Sequence, residues 1–319
     1  TTLGVNGEGT ATVELKDEFG NAVDAAGDAI TLFSGNNALS STVKDTTVKG
    51  RYTLTTVLTT AGTYVLKAAV QNHTSPTSET VTVSTPSGAV NVASIALLSA
   101  TSDVSAGDDV IAVVLLKDRF GNPVTNAEGG ITVSSNKEVP QRLTVTVSET
   151  GTEGEYRLQL KLKKVGAHTL MVRANPQHQA LEIPVAVNNL RHGVNVQTID
   201  LTIPQTTINV GETIVATVVL KDEFGNAVLD AQDDVWLESQ DGGIIEGFRA
   251  IPGADGEYKL TQSLTQAGTL TLEAKTSSAT SQSRQVVVKN HSGAGSVHHF
   301  EMTTDKRQIE AGGTTIVTV

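Results

Sequence analysis

The 319 residues include no cysteine, one tryptophan and two methionines, and only 3% of them are aromatic. Without cysteine there is no disulfide and no thiolate metal centre, and the lack agrees with export of the chain in an unfolded form. Long apolar runs are missing too: nothing approaches the roughly 20 residues of a membrane helix. The first residues show no charged stretch followed by a hydrophobic one, so we expect this segment neither to span a membrane nor to carry its own export signal. Basic charge is scarce, with 23 Lys and Arg against 34 Asp and Glu and a net charge of −11. Clustered cations are what displace counterions from a polyanion, so nucleic acid is excluded as a partner.

What the chain has is Thr, Val, Ser and Gly, the composition of β structure, and a repeat. The peptide Lys-Asp-x-Phe-Gly-Asn-x-Val runs from Lys16 to Val23, from Lys117 to Val124 and from Lys221 to Val228, at separations of 101 and 104 residues. Each copy is followed by Gly-x-Tyr-x-Leu (Gly50 to Leu54, Gly154 to Leu158, Gly256 to Leu260) and, ten residues after the tyrosine, by Gly62, Gly166 or Gly268. A repeat of about 100 residues is a whole domain with its own core, where solenoid repeats of about 20 to 50 residues lean on stacked neighbours.

In the middle repeat seven β-prone runs follow one another: Ala93 to Ala100, Val110 to Lys117, Ile131 to Ser135, Leu143 to Val147, Tyr156 to Leu162, His168 to Ala174 and Leu181 to Val187. Seven short strands per hundred residues predict an all-β antiparallel sandwich. Ala11/Ala112/Ala216, Val13/Val114/Val218 and Leu15/Leu116/Leu220 share one parity, which predicts one buried and one wet face. The repeated tyrosines Tyr52, Tyr156 and Tyr258 fall on the inward parity of their runs.

The Asp-x-Phe-Gly-Asn peptide stands where a strand ends. Asp17, Asp118 and Asp222 are placed to cap backbone N–H groups two residues on. Gly20, Gly121 and Gly225 can adopt positive φ without a Cβ clash, and Phe19, Phe120 and Phe224 are expected to pin the turn to the end of the core. Asn21, Asn122 and Asn226 complete the motif. The competing reading is a calcium site, but each repeat offers few carboxylates for an oxygen cage.

These residues together resemble the group 1 bacterial immunoglobulin-like domains of the intimin and invasin family, over essentially the whole chain. The resemblance implies tandem immunoglobulin-like sandwiches arranged as an extended, monomeric rod. It also implies a passenger or stalk displayed outside a Gram-negative cell and held to the outer membrane by a barrel elsewhere in the full protein, with a host cell-surface or matrix receptor as partner and no cofactor. Neither that barrel nor a lectin-like tip is recognisable in this sequence. The expected boundaries are 1–88 for a first domain without its first strand, 89–194, 195–294, and 295–319 for the start of a further repeat, either packed on the third domain or poorly ordered. The linkers Pro86 to Val92, Asn188 to Val194 and Asn290 to Ser296 are short and polar.

Catalysis finds no support: no Gly-x-Ser-x-Gly, His-Glu-x-x-His or phosphate loop occurs, and Asp108-Asp109 and Asp233-Asp234 read as solvated pairs. His291, His298 and His299 read as an exposed linker and strand start, not as a zinc site. Among aromatics outside the repeat framework, Trp236 has the outward parity and Phe248 sits in the enlarged 240–253 loop of the third repeat; together they are the candidate ligand-binding residues, the competing reading being that Trp236 packs against a loop or the neighbouring domain. Two other readings stay open, a passive spacer and accessory modules of a secreted polysaccharide-degrading enzyme.

Overall fold

The computed structural model describes residues 1–138, 143–176, 179–240, 243–244 and 249–292, together with 299, 301–304, 308, 311, 314 and 316–318. The chain divides into two compact units, Thr1–Asn188 and Asn189–Val319.

The first unit holds two sandwiches. In the first, β1 (Thr2–Gly4), β2 (Gly7–Glu14), β3 (Ile30–Ser34), β4 (Asn37–Leu39), β5 (Ser41–Asp45), β6 (Arg51–Leu58), β7 (Gly62–Val70), β8 (His73–Thr74) and β9 (Glu79–Ser84) form two sheets. One has the order β2-β6-β5; the other runs β1-β9-β7-β3-β4, with β8 paired to β7. The second sandwich comprises β10 (Ser94–Ala100), β11 (Asp103–Ser105), β12 (Asp109–Lys117), β13 (Thr132–Ser135), β14 (Val145–Glu149), β15 (Glu155–Lys161), β16 (Gly166–Arg173) and β17 (Leu181–Asn188). Its sheets are β10-β12-β15-β14 and β11-β17-β16-β13.

The second unit holds the third sandwich: β18 (Thr198–Thr202), β19 (Thr207–Asn209), β20 (Thr213–Lys221), β21 (Trp236–Ser239), β22 (Gly243–Ile244), β23 (Arg249–Pro252), β24 (Glu257–Ser263), β25 (Gly268–Lys275) and β26 (Arg284–Lys289). They pair as β18-β20-β24-β23 and β19-β26-β25-β21-β22. Beyond it, β27 (Thr303–Thr304) pairs with β28 (Val317–Thr318). The rest of the stretch expected to begin a further repeat lies largely outside the described residues.

The expected all-β sandwich is present, and the seven runs anticipated in the middle repeat are seven of its eight strands. Alternation explains why. In β12, Val110, Ala112, Val114 and Leu116 are buried while the residues between them are not, and β20 repeats this with Ile214, Ala216, Val218 and Leu220. The strand missed in the middle repeat is β11, which like β1 and β19 has three residues and pairs in parallel, the three with β17, β9 and β26 respectively. So short a strand carries no readable alternation, and its parallel pairing departs from the antiparallel pattern of the rest.

Two of the polar linkers, those after Pro86 and after Asn188, are built into the sandwich that follows them. Thr125 donates its N–H to the Pro86 carbonyl and its own carbonyl accepts the Gly88 N–H, at 2.9 and 2.7 Å. In the second unit Leu229 does the same with Leu190 and His192, each at 2.9 Å. Val92 and Val196, at the ends of these stretches, are buried, and this apolar anchor holds otherwise polar backbone against the sheet.

Candidate functional site

The three turns have one geometry. A carboxylate oxygen of Asp17 accepts the N–H groups of Phe19 and Asn21 at 2.9 and 2.8 Å, and its other oxygen accepts Asn21 Nδ2 at 3.0 Å. Asp118 holds Phe120 N, Asn122 N and Asn122 Nδ2 at 2.8, 2.8 and 2.9 Å. Asp222 holds the equivalent Phe224 and Asn226 groups at 2.9, 2.8 and 2.9 Å. The glycines take φ of +87° at Gly20, +90° at Gly121 and +83° at Gly225, the left-handed region that a Cβ disfavours. Hydrogen bonds from the Asn21 side chain and backbone, more than those from Phe19 and Gly20, hold the Asp17 carboxyl below its ordinary pKa. Both oxygens of each aspartate are thus committed within the turn, which speaks against calcium. Among the described residues no three His, Cys, Asp or Glu side chains converge as metal ligands.

Phe19 and Phe120 do not pin their turns to the core. Phe19 is 80% exposed and Phe120 39% exposed, while Phe224 is half-buried. The core is closed instead by the repeated tyrosine. Tyr52 Oη donates to the Val23 carbonyl at 2.9 Å and accepts the Ala26 N–H at 3.1 Å. Tyr156 does so with Val124 and Ala127 at 2.9 and 3.0 Å, and Tyr258 with Val228 and Ala231 at 3.0 and 3.1 Å. Burial pushes the Tyr156 phenol up to about 12, reinforced by Glu149, whose Oε1 is 3.0 Å from the hydroxyl.

Asn122 has a further part that the motif does not reveal. Its side-chain oxygen accepts the N–H of Ala61, and its side-chain nitrogen donates to the Thr59 carbonyl, both at 2.8 Å. The buried turn of the second sandwich therefore clasps the β6–β7 connection of the first. Asn21 is chemically the same residue but exposed. Only its recurrence at one place in every repeat hinted at more than a turn residue. Nearby, the Arg119 guanidinium stacks 4.6 Å from the centre of the Phe120 ring. Both residues line an open cleft of about 670 Å³ with Val5, Pro86, Val90 and Val92.

Of the candidate ligand-binding pair, Trp236 opens β21, whose alternation buries Leu237 and leaves the indole half-buried. Its Nε1 is buried without a hydrogen-bond partner among the described residues. On the same outward parity Glu238 pairs with Lys275 at 3.0 Å, and this hydrogen bond raises the lysine pKa. Phe248 lies outside the described residues. So does His298, and the expected Asp pairs are ordinary: Asp109 approaches Lys161, and Asp234 accepts the Gly193 N–H at 2.9 Å.

No family model and no curated protein matches the chain. Among solved structures it is similar to the Escherichia coli adhesin FdeC, at 21% identity and a TM-score of 0.43, covering 90% of this chain and 93% of that one. It is similar to invasin, a bacterial integrin-binding protein, at 13% identity and a TM-score of 0.41, over 89% of this chain and 60% of invasin. Domains 4–9 of the surface layer protein SbsC match at 21% identity and a TM-score of 0.29, over 95% of this chain and 46% of that one. Intimin/invasin-type adhesin domains are thus among its structural neighbours. What each of those proteins binds belongs to its own surface.

Proposed function

We propose that this chain is a segment of a bacterial surface adhesin that carries attachment surfaces toward host cells or matrix, without catalytic activity. The observation that carries this reading is the clasp at Asn122. There the turn of the second sandwich both reverses its own chain and fastens that sandwich to the one before, as a spacer held between a cell and its target requires. The open clefts, small aromatic inventory and acidic surface fit contact with protein or glycan by many weak, repeated encounters better than by one deep site. We further propose outer-membrane anchoring through a barrel outside this segment, a monomeric state, and Trp236 with Phe248 as contact residues.

The test is binding of the purified chain, as a monomer and on multivalent beads, to epithelial cells and matrix proteins. Saturable binding that falls in the Trp236→Ala/Phe248→Ala double variant supports an adhesive third sandwich. Binding that persists in the double variant removes that pair, and none in either format leaves a passive spacer.

A further inference from the structure

One residue sets the second turn apart from its sisters. The position between the aspartate and the phenylalanine holds Glu18 in the first copy and Glu223 in the third, but Arg119 in the second. Among the described residues the exposed Arg119 guanidinium meets the Phe120 ring and no carboxylate, in a chain where acids outnumber bases. The backbone beneath it is fixed, since Asp118 holds the Phe120 N–H at 2.8 Å and Asn122 ties the turn to Thr59 and Ala61. The cleft of about 670 Å³ that this pair lines sets apolar surface beside free polar groups. Val90 is 81% exposed there. Asn91 Nδ2 donates to the Ser87 carbonyl at 2.6 Å, which leaves its Oδ1 to accept. Ser87 Oγ accepts Asn126 Nδ2 at 3.1 Å, which leaves its O–H to donate. Asn6 adds an exposed side-chain amide. None of Ala11 to Lys16, the stretch of β2 whose counterparts β10 and β18 cover in the other sandwiches, lines this cleft.

We propose that this cleft binds a carboxylated sugar. Arg119 receives the carboxylate through its planar fork of donors. The apolar C–H face of the sugar ring lies against Phe120 and Val90, and the ring hydroxyls exchange hydrogen bonds with Asn91, Ser87 and Asn6. These small polar groups select a polyhydroxylated ring over an acidic peptide side chain, which would bring one anion and leave most of them unpaired. The volume falls within the roughly 300–1,000 Å³ of ordinary small-ligand sites. Both walls are held before any ligand arrives, by the Asn122 clasp and by the pairing of Thr125 with Pro86 and Gly88, so binding orders little. The site deepens the adhesin reading and rests on it only for where such a sugar is met, on a host surface.

The experiment titrates glucuronate and N-acetylneuraminate separately into the isotope-labelled full 319-residue chain and follows amide chemical shifts. Glucose serves as the uncharged sugar and N-acetylglutamate as the carboxylate without a sugar ring. The expected result is saturable binding of at least one acidic sugar, with shifts at Asn6, Ser87 to Asn91, Arg119 and Phe120, and glucose at least ~10-fold weaker for want of the charge-assisted pair. Arg119→Glu, the residue of both sister turns at an exposed position, is expected to keep the fold and weaken the acidic sugar at least ~10-fold. Phe120→Ala weakens it too, while Phe224→Ala leaves it unchanged. Failure of both acidic sugars to saturate in the millimolar range, equal binding of glucose, shifts elsewhere, or an unchanged affinity in Arg119→Glu overturns the proposal. So does N-acetylglutamate binding as tightly as the sugars, which would give the cleft to an acidic peptide. Free sugars are measured without cells, so a failure here leaves the cell-binding test standing, and a failure there leaves this one.

Discussion

The side chain of Asn122 accepts a hydrogen bond from the backbone of Ala61 while donating to the carbonyl of Thr59, so one amide spans the connection between β6 and β7. Removing it strands a part-buried N–H and a part-buried carbonyl. Loss of such partners costs about 1–3 kcal/mol, and Asn122→Ala is expected to destabilise by that amount. Asn21→Ala, whose exposed amide bonds Asp17 alone among the described residues, is expected to cost well under half of it. Urea unfolding with amide exchange read at Ala61 checks both, and equal effects from the two variants would mean the clasp contributes nothing.

The Asp17 carboxyl is expected to titrate below the ordinary 3.8, because Asn21 and the turn's N–H groups favour its ionised form. A depressed folded pKa gives stabilisation that is present above the unfolded value and lost as pH falls through the folded one. The turn should therefore keep its amide protection at Phe19 and Asn21 as the pH drops to about 4 and lose it only in stronger acid. Carbon-detected titration of Asp17 is the measurement; a normal carboxyl pKa would refute the committed geometry.

How much was legible in the sequence follows from how each feature is encoded. Alternation at Val110, Ala112, Val114 and Leu116 is a local signal with period two, and the long strands were readable from it. So was the turn, since aspartate, glycine and asparagine each do their work within five residues. Phe19 and Phe120 are exposed although an aromatic beside a core strand is usually inside, and nothing within the motif marks them as different from Phe224. The tie from Asn122 to Thr59 and Ala61 joins positions some 60 residues apart and leaves no periodic trace in the chain.

Tyr156 ties its own sandwich together at a point where the phenol proton matters. Its folded pKa of about 12 exceeds the ordinary value near 10, so the unfolded chain ionises first on raising the pH. The corresponding stabilisation is complete below pH 10, declines between about 10 and about 12, and amounts to about 3 kcal/mol at most. Tyr156→Phe is expected to cost about 1–3 kcal/mol at neutral pH by orphaning the Val124 carbonyl and the Ala127 N–H. It should also flatten the alkaline loss of amide protection in β15. A variant that keeps the wild-type alkaline profile would assign that loss to other groups.

Gly154 and Gly121 separate two reasons for glycine in one domain. Gly121 has φ of +90° with open space around a would-be Cβ, so Gly121→Ala meets only the left-handed backbone penalty, about 1 kcal/mol. Gly154 has φ of +75°, and a Cβ there would lie 2.7 Å from Pro123 Cβ and 2.9 Å from the Leu116 carbonyl. The Leu116 N–H donates to the Gly154 carbonyl at 2.8 Å, so the backbone cannot retreat without breaking a bond that seats the turn. Gly154→Ala is expected to cost at least about 2 kcal/mol more than Gly121→Ala, the backbone penalty being joined by overpacking. The same pairing recurs at Gly50 beside Ala22 and Leu15 and at Gly256 beside Leu220 and Ala227. Alanine at Gly50 or Gly256 should therefore reproduce the larger loss in its own sandwich. Equal destabilisation by Gly121→Ala and Gly154→Ala, measured by thermal unfolding, would show that backbone conformation alone selects glycine after the turn and that the close approach to Pro123 is yielding.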